Sequence, residues 1–447
     1  MQSEDCVIML VLSLQSIDRG EAPNPFLLFK LNSRRMPFSP VERAGTIHAM
    51  PSAKASTDVS LSSVHLDAIR GAAALVVFLG HTRDLYFPSI FRRNDDTVAT
   101  SQKQDLSQLP AVALDQRITM GNEAVMIFFV LSGYLVGGGV IKALKRNTWS
   151  WKTYLINRLT RLWVVLIPAL LLGVALDLTG LHLFSNPGSI YTAPHQQAVI
   201  HDVASQLSLR VIAENALFLQ GILVGTAGSN DSLWSLTNEF WYYIAFPLLL
   251  LALITNQNAL LRCIYFVLFL GISLLVGKTI CLLFFIWALG ALLSVVPLTI
   301  PRRAARVLSF AMAFLLPVVF VAVRRTALPL YRAQWILALF SALAIYVFLH
   351  QTEKARNGIY RSMAGFFSRI SYTLYLVHLP LAVFLCACIN NPWHRWEKSP
   401  KNVAVYLAMN AGIVLFSYFF YLAFEANTGE VRSVLLRCLM KEKHLPK

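Results

Sequence analysis

Charged residues are scarce in this sequence of 447 residues, and their scarcity excludes an ordinary soluble protein. Only 14% of the residues are charged, whereas a soluble domain carries about 25%. Apolar residues make up 56% of the chain, and its mean hydropathy is +0.57. The sequence therefore predicts a polytopic membrane protein. The net charge of +16 then does not indicate nucleic-acid binding, because lysine and arginine mark cytoplasmic loops.

Cysteine is also rare, and familiar metal and nucleotide motifs are absent from the sequence. Most of the six cysteines lie in or beside apolar segments, where a small apolar side chain is their usual role. Cys386 and Cys388 are close in sequence, but no other Cys or His falls at zinc-ligand spacing around them. No Walker A or GxGxxG motif occurs. The sequence predicts no metal site and no disulfide framework.

The N-terminal region differs in composition from the rest of the chain. Its apolar stretch, 6–14, is too short to span a bilayer and lacks the basic start of a signal peptide. Residues 1–62 are predicted to be a disordered extension, with Met50 as an alternative start of translation. A membrane domain is predicted over 63–425, followed by a basic cytoplasmic tail over 426–447.

Ten apolar runs of spanning length predict an all-α fold of about ten transmembrane helices. The runs are 66–88, 122–141, 159–180, 233–254, 260–276, 278–297, 305–323, 331–350, 371–389 and 403–424. The close pair around Gly277 also fits one broken unit, and 211–224 is predicted to be interfacial or re-entrant. Lysine and arginine favour N-in, C-in sidedness, although Arg324 and Arg325 lie on a loop assigned to the outside.

The stretch RGAAALVVFLGH places two ionisable residues in the first span. Eleven helical steps separate Arg70 from His81, which puts both on one face about 16 Å apart along the axis. Asp67 lies on the same stripe. Arg70 alone also fits a side chain that reaches lipid headgroups, and His81 fits a hydrogen-bonded interior residue. A histidine is equally suited to take a proton from a hydroxyl, and Asp84 would then orient its ring.

Three further spans carry polar or small residues. FFVLSGYLVGGG (128–139) allows close approach of a ligand or, alternatively, of a neighbouring helix. LWSLTNEFWYY (233–243) puts Ser235 and Glu239 on one face, and a membrane-embedded glutamate is typically functional. SYTLYLVH (371–378) has a polar face that fits either a site or a hydrogen-bonding stripe between helices.

The segment YLINRLTRLW places Arg158 and Arg161 three residues apart at the predicted cytoplasmic end of the third span. Such a pair suits phosphate binding, although positive-inside anchoring also explains an arginine there. Together with the polar spans, the pair indicates a cationic mouth for a phosphorylated donor and a polar channel leading to His81.

These motifs resemble those of the acyltransferase 3 family of integral membrane acyltransferases. LDAIRGAAALVVFLGH resembles the family's LDGLRG…H, FFVLSGYL resembles FFxxSGYL, and NRLTR supplies RxxR. LWSLTNEFWYYIAFP resembles WSLxxEExYxxxP, and RISYTLYLVHLP resembles ISYxxYLxHxP. All five occur in the family's order. The resemblance implies about ten helices, acyl-CoA as donor, and an acceptor hydroxyl reached from the outer side.

The resemblance also implies roles for individual residues. The catalytic residues would be His81, Glu239 and Arg70. Acyl-CoA would be bound by Arg70, Arg158, Arg161, Ser132 and Tyr134. The substrate channel would be lined by Asp67, Trp234, Ser235, Ser371, Tyr372, Tyr375 and His378. Two departures stand out: Phe240 replaces a second glutamate, and EANTGEVR replaces the tail E-x-P-x-R, which puts the roles of Glu425 and Arg432 in doubt.

The expected activity is O-acylation, most simply O-acetylation, of a cell-envelope glycan or lipid-linked sugar in the bacterial inner (cytoplasmic) membrane. Direct transfer and an acyl-histidine relay both fit the motifs. The expected partners are acetyl-CoA or another acyl-CoA, the sugar acceptor, membrane lipids and separate envelope biosynthesis proteins, with no nucleic acid and no metal. The alternatives are acylation of a small macrolide-like metabolite, or a glycan transporter or flippase without acyl transfer.

Overall fold

The structure is a computed structural model that describes residues 59–88, 120–192, 202–254, 257–325 and 328–440. Within these ranges the chain is helical and has no β-strand, which confirms the all-α polytopic prediction. The predicted disordered extension and the possible start at Met50 lie outside the described residues. The same holds for the last seven residues of the basic tail.

Twelve α-helices are named here in chain order. They are α1 (Leu61–Tyr86), α2 (Met120–Ser132), α3 (Gly138–Lys145), α4 (Trp151–Leu183), α5 (Leu209–Ala216), α6 (Trp234–Leu253), α7 (Ala259–Leu293), α8 (Arg302–Arg325), α9 (Leu330–Leu349), α10 (Ile359–Ile389), α11 (Pro400–Ala423) and α12 (Thr428–Met440). A π-helical turn, Gly133–Gly137, joins α2 to α3 in one continuous span. Short 3₁₀ turns lie at Ala204–Leu207, Asp231–Leu233 and Glu425–Asn427.

Nine helices in the described ranges are long and apolar enough to cross a membrane, and α7 accounts for two of the ten predicted spans. Gly277 has φ 78° and ψ 175°, which interrupts the helix. Across it, Cys281 Sγ lies 3.3 Å from Ser273 O, and the Phe269 and Phe284 rings lie 6.3 Å apart. A straight helix would separate these pairs by about 12 Å and about 22 Å. The two arms of α7 therefore fold back against each other.

Helices α1 and α10 form the central pair of the bundle and run parallel. Arg70 contacts Ser368 and His81 contacts His378, so the sequence separation is 298 at one level and 297 at the other. Because the difference in residue number is nearly constant along the pair, the two helices run in the same direction and keep the same register. We call the level of Arg70 the arginine end and the level of His81 the histidine end.

Glycines set how closely the helices approach one another. A Cβ on Gly71 would lie 2.7 Å from Phe367 Cβ, and one on Gly133 would lie 1.8 Å from Trp287 O. These distances are too short for a side chain, so the glycines let α1 meet α10 and the π-helical turn meet α7. The packing interpretation of the glycine-rich segment is confirmed at Gly133.

Replacing Gly71 with alanine should destabilise the protein by about 1–3 kcal/mol, the usual cost of overpacking a tight contact. The measurement is the unfolding temperature of the purified protein in detergent. Gly139→Ala is the matched control, because nothing lies within 4 Å of a Cβ at that helical glycine. Equal unfolding temperatures for the two variants would contradict the packing argument.

The segment before α6 is a compact turn at the histidine end rather than a continuous helix. The sequence predicts an interfacial or re-entrant segment over 211–224; the structure places there all but the first two residues of α5, which ends at Ala216, followed by irregular chain. Asn215 is buried and bonds Gly225 O and Ala227 N. Buried Asp177 of α4 accepts hydrogen bonds from the amide and hydroxyl of Ser229. These contacts fix the chain that enters α6.

Candidate active site

A polar cavity of about 710 Å³ opens at the arginine end. Its lining includes four arginines and two carboxylates, so it is electropositive. The lining residues are Asp67, Arg70, Arg161, Asn357, Gly358, Arg361, Ser362, Gly365, Ser368, Arg369, Tyr421, Glu425 and Ala426. Sequence reasoning identified Arg70, Arg161 and Asp67, but it counted Arg361 and Arg369 only as markers of sidedness.

Three of the cavity residues form a hydrogen-bonded group between α1 and α10. Ser368 Oγ donates to Asp67 Oδ1 at 2.7 Å, and Arg70 Nη1 donates to Ser368 Oγ at 3.3 Å. The Arg70 guanidinium also lies 3.8 Å from the Asp67 carboxylate. The group holds the arginine toward the cavity while leaving most of its N–H donors available for a ligand.

Arg161 is fixed by Glu425, whose role the sequence had left in doubt. Arg161 Nη1 lies 2.6 Å from Glu425 Oε1, and its guanidinium lies 5.4 Å from the centre of the Tyr372 ring. Thr373 donates to Glu425 Oε2 through its hydroxyl at 2.6 Å and its amide at 3.2 Å. Glu425 is therefore a buried anchor that joins α4, α10 and the end of α11.

The first arginine of the RxxR pair, Arg158, lies away from the cavity. Arg158 does not line the cavity; its guanidinium lies 5.7 Å from the Tyr154 ring centre and 5.8 Å from that of Tyr243. Its buried Nε has no hydrogen-bond partner among the described residues. Arg161 thus faces the cavity, and Arg158 faces the aromatic wall next to Glu239.

Glu239 lies outside the cavity lining, and its carboxylate accepts hydrogen bonds from two hydroxyl groups. Ser132 Oγ donates to Glu239 Oε1 at 2.7 Å, and the Tyr243 hydroxyl donates to the same oxygen. Trp287 Nε1 in turn donates to Ser132 Oγ at 3.1 Å.

Phe240 points away from the group around Glu239. Its ring stacks on Phe218 with centroids 4.3 Å apart and an interplanar angle of 12°. A side chain at this position therefore faces the turn before α6. Glu239 is the carboxylate that this motif contributes to the polar interior.

Tyr375 connects α10 to the start of α6. Its hydroxyl donates to Ser232 O at 2.9 Å and lies 2.6 Å from Ser235 Oγ. Pro380 has no amide hydrogen, so Leu376 O loses its helical donor; Asn230 Nδ2 donates to that carbonyl at 2.8 Å. The proline thus leaves the Leu376 carbonyl free to accept a hydrogen bond from the turn before α6, and this bond holds the turn against α10.

Of the other residues in the motifs, Tyr372 lies beside Arg161 at the cavity, and Ser371, Trp234 and Tyr134 lie outside the cavity lining. The Tyr372 hydroxyl donates to Leu162 O at 3.1 Å while its ring lies beside Arg161. Ser371 Oγ bonds Ser368 O within α10. Trp234 packs edge-on against Phe129 with centroids 6.4 Å apart, and Tyr134 lies half-buried in the π-helical turn.

At the histidine end, His81 and His378 form a buried pair. His81 Nδ1 lies 2.9 Å from His378 Nε2, and the two rings are nearly coplanar, with centroids 5.2 Å apart and an interplanar angle of 13°. The partner of His81 Nδ1 is His378, and Asp84, which the sequence suggested for this role, lies 3.4 Å from Arg83. The channel residue predicted from the last motif is thus the direct partner of His81.

The first turn of α2 faces the other edge of the His81 ring. A Cβ on Gly121 would lie 2.5 Å from His81 Nε2, so only a glycine lets the backbone of α2 pack this closely against that edge of the ring. Nearby in the same turn, Glu123 forms a buried bidentate ion pair with Arg324 at 2.7 and 2.8 Å. The charge of Arg324 is therefore neutralised by Glu123 inside the protein, whereas the sequence placed Arg324 on a loop.

The polar side chains form a continuous series from the cavity to the histidines. On α10, Ser368, Tyr372, Tyr375 and His378 follow one another at spacings of three or four residues, which keeps them on one face. Ten residues of helix cover about 15 Å, similar to the distance from Arg70 to His81 on α1. The site is therefore a polar column within the bundle, with a cationic cavity at one end.

Comparison with known proteins agrees with this architecture. The family model Acyl_transf_3, described as an acyltransferase domain, matches residues 64–422, which is nearly all of the helical bundle. No curated protein and no solved structure shows a significant match to the chain. The match includes all five motifs, whose residues line or support the polar column. The chain belongs to the acyltransferase 3 family of membrane acyltransferases.

Proposed function

We propose that the protein moves an acyl group, most simply acetyl, from acyl-CoA to a hydroxyl of a cell-envelope glycan or lipid-linked sugar. The observation that carries the proposal is the polar column from the arginine-lined cavity to His81. We place the arginine end at the cytoplasm, where acyl-CoA is found, and the protein in the bacterial inner membrane. The positive charge around the cavity supports this orientation.

The cavity suits the phosphates of coenzyme A. Arginine is the preferred partner of phosphate because its planar donors match two oxygens at once. Arg70 and Arg161 lie at the inner wall, toward the polar column, while Arg361 and Arg369 belong to the first turns of α10. With the phosphates held there, the flexible pantetheine arm of the donor would extend along the column and bring the thioester toward His81.

The chemistry at His81 is a balanced acyl transfer. The acceptor hydroxyl gives its proton to His81 while its oxygen bonds to the thioester carbonyl carbon. The carbon–sulfur bond then breaks, and the departing thiolate takes the proton back from His81 to give free CoA. Glu239 and Arg70 would assist from the column by orienting the donor. In the alternative route, His81 itself takes the acyl group and passes it to the acceptor.

The experiment that tests the proposal uses the full-length protein in vesicles with labelled acetyl-CoA. Acyl transfer predicts label in the glycan or lipid-linked sugar and stoichiometric release of CoA. Movement of glycan across the membrane without consumption of acetyl-CoA would overturn the proposal in favour of a flippase. Label appearing in a macrolide-like alcohol but not in glycan would retain the enzyme and replace the acceptor.

Arg361 and Arg369, in the first three turns of α10, should contribute to the binding of acetyl-CoA but not to the chemical step. Arg361→Ala and Arg369→Ala should each raise the KM for acetyl-CoA about tenfold and change kcat little, because a lost charged hydrogen bond costs about 1.5 kcal/mol or more. The measurement is steady-state kinetics at low ionic strength. Arg356→Ala is the control, an exposed arginine outside the cavity lining. Unchanged KM values in both cavity variants would remove these arginines from the donor site.

A further inference from the structure

We infer that His378 is a positioning residue that keeps the proton of His81 on Nδ1 and so leaves His81 Nε2 as the basic atom. The inference rests on the proposed function in taking His81 as the reacting group. It depends on hydrogen-bond geometry alone and holds for direct transfer as well as for an acyl-histidine route, since both need a free nitrogen lone pair.

The protonation of His378 follows from its neighbours. His378 Nδ1 lies 2.9 Å from Leu374 O and 2.9 Å from Tyr375 O. Carbonyl oxygens only accept hydrogen bonds, so Nδ1 must carry the hydrogen. A neutral imidazole has one N–H, which means that His378 Nε2 presents a lone pair.

The protonation of His81 follows in turn. His81 Nδ1 lies 2.9 Å from the lone pair on His378 Nε2, so His81 Nδ1 must be the donor. The proton of neutral His81 is therefore on Nδ1, and its Nε2 is unprotonated. That nitrogen faces Gly121, where a side chain would come within 2.5 Å. The histidine pair thus leaves one unprotonated nitrogen on His81.

Packing makes this arrangement rigid. His378 is fully buried, and the Phe78 ring meets it edge-on with centroids 5.9 Å apart. The planes of the two imidazoles differ by only 13°, so the His81 Nδ1–H and the His378 Nε2 lone pair lie nearly in one plane, as a hydrogen bond between them requires. When His81 Nε2 takes the acceptor's proton, the Nδ1–H bond to His378 persists and becomes charge-assisted, so the pair shares the positive charge until Nε2 returns the proton to the thiolate.

The direct test is ¹⁵N NMR of histidine-labelled protein in vesicles, with His81→Ala used to assign the His81 signals. The wild-type protein should show a protonated Nδ1 and a lone-pair Nε2 for His81. In His378→Phe, which keeps a ring but removes the acceptor, His81 should shift toward the Nε2–H form that predominates in free histidine. A wild-type His81 protonated on Nε2, or a tautomer unchanged in His378→Phe, would overturn the inference.

Kinetics supply a second, independent readout. His378→Phe should lower kcat by about 10- to 100-fold, the usual effect of losing a residue that orients a reacting group, with the KM for acetyl-CoA unchanged. His378→Gln should recover most of this loss, because its amide oxygen can accept the same hydrogen bond. Equal activity of the two variants would contradict positioning. Full activity of His81→Ala would instead overturn the proposed function, whereas the wild-type NMR result stands apart from activity.

Discussion

Replacing His81 with alanine should lower acyl transfer by roughly 10³-fold, within the range that a positioned general base contributes. The imidazole is the group at the histidine end whose Nδ1 is engaged by His378 and whose Nε2 lies against the first turn of α2 at Gly121. Its removal takes away both the proton acceptor of direct transfer and the nucleophile of the relay. Binding of acetyl-CoA should remain, because the cavity lies about 16 Å away along α1.

The measurement is transfer of labelled acetyl groups to glycan by the variant in vesicles, together with its affinity for acetyl-CoA. His182→Ala is the matched control, since His182 is exposed near the end of α4 and outside the polar column. Full transfer by a folded His81→Ala protein would remove His81 from the chemistry. A second incubation without acceptor separates the two routes, because label retained on the wild-type protein but not on His81→Ala indicates an acyl-histidine.

Features within one helix were predictable from the sequence. The shared face of Arg70 and His81 follows from the rise and twist of an α-helix, and the break at Gly277 was indicated by the close pair of apolar runs on either side of it. The face of α10 that carries Tyr375 and His378 follows in the same way. In each case the spacing alone determines which side chains share a surface.

Contacts between helices were harder to predict, because they depend on packing between segments far apart in sequence. His378 lies 297 residues from His81, so sequence reasoning chose Asp84, one helical turn away, as its partner. Arg324 was read as a loop charge because its buried partner Glu123 comes 201 residues earlier. The five motifs assign the right segments to one site, but only the structure shows which of their atoms are in contact.

Glu425 is the clearest example of such a contact, and its removal should have the second largest effect. Glu425→Ala should lower kcat/KM for acetyl-CoA about 100-fold, since a misplaced binding group can cost that much. The change would free Arg161 from its 2.6 Å ion pair and leave the Thr373 hydroxyl and amide without their acceptor. Arg161 would then rotate toward water, because about two-fifths of its side chain is already exposed (43%).

A double-mutant cycle separates this orienting role from a loss of stability. If Glu425 acts by holding Arg161, the Arg161→Ala, Glu425→Ala and combined variants should show similar kcat/KM values, because residues that act as a unit are not additive. Glu430→Ala is the control, a carboxylate of α12 outside the cavity lining. Additive losses would mean that Glu425 supports the fold independently of the arginine. A coupled loss would make the position that opens EANTGEVR part of the donor site, despite its departure from the family's tail.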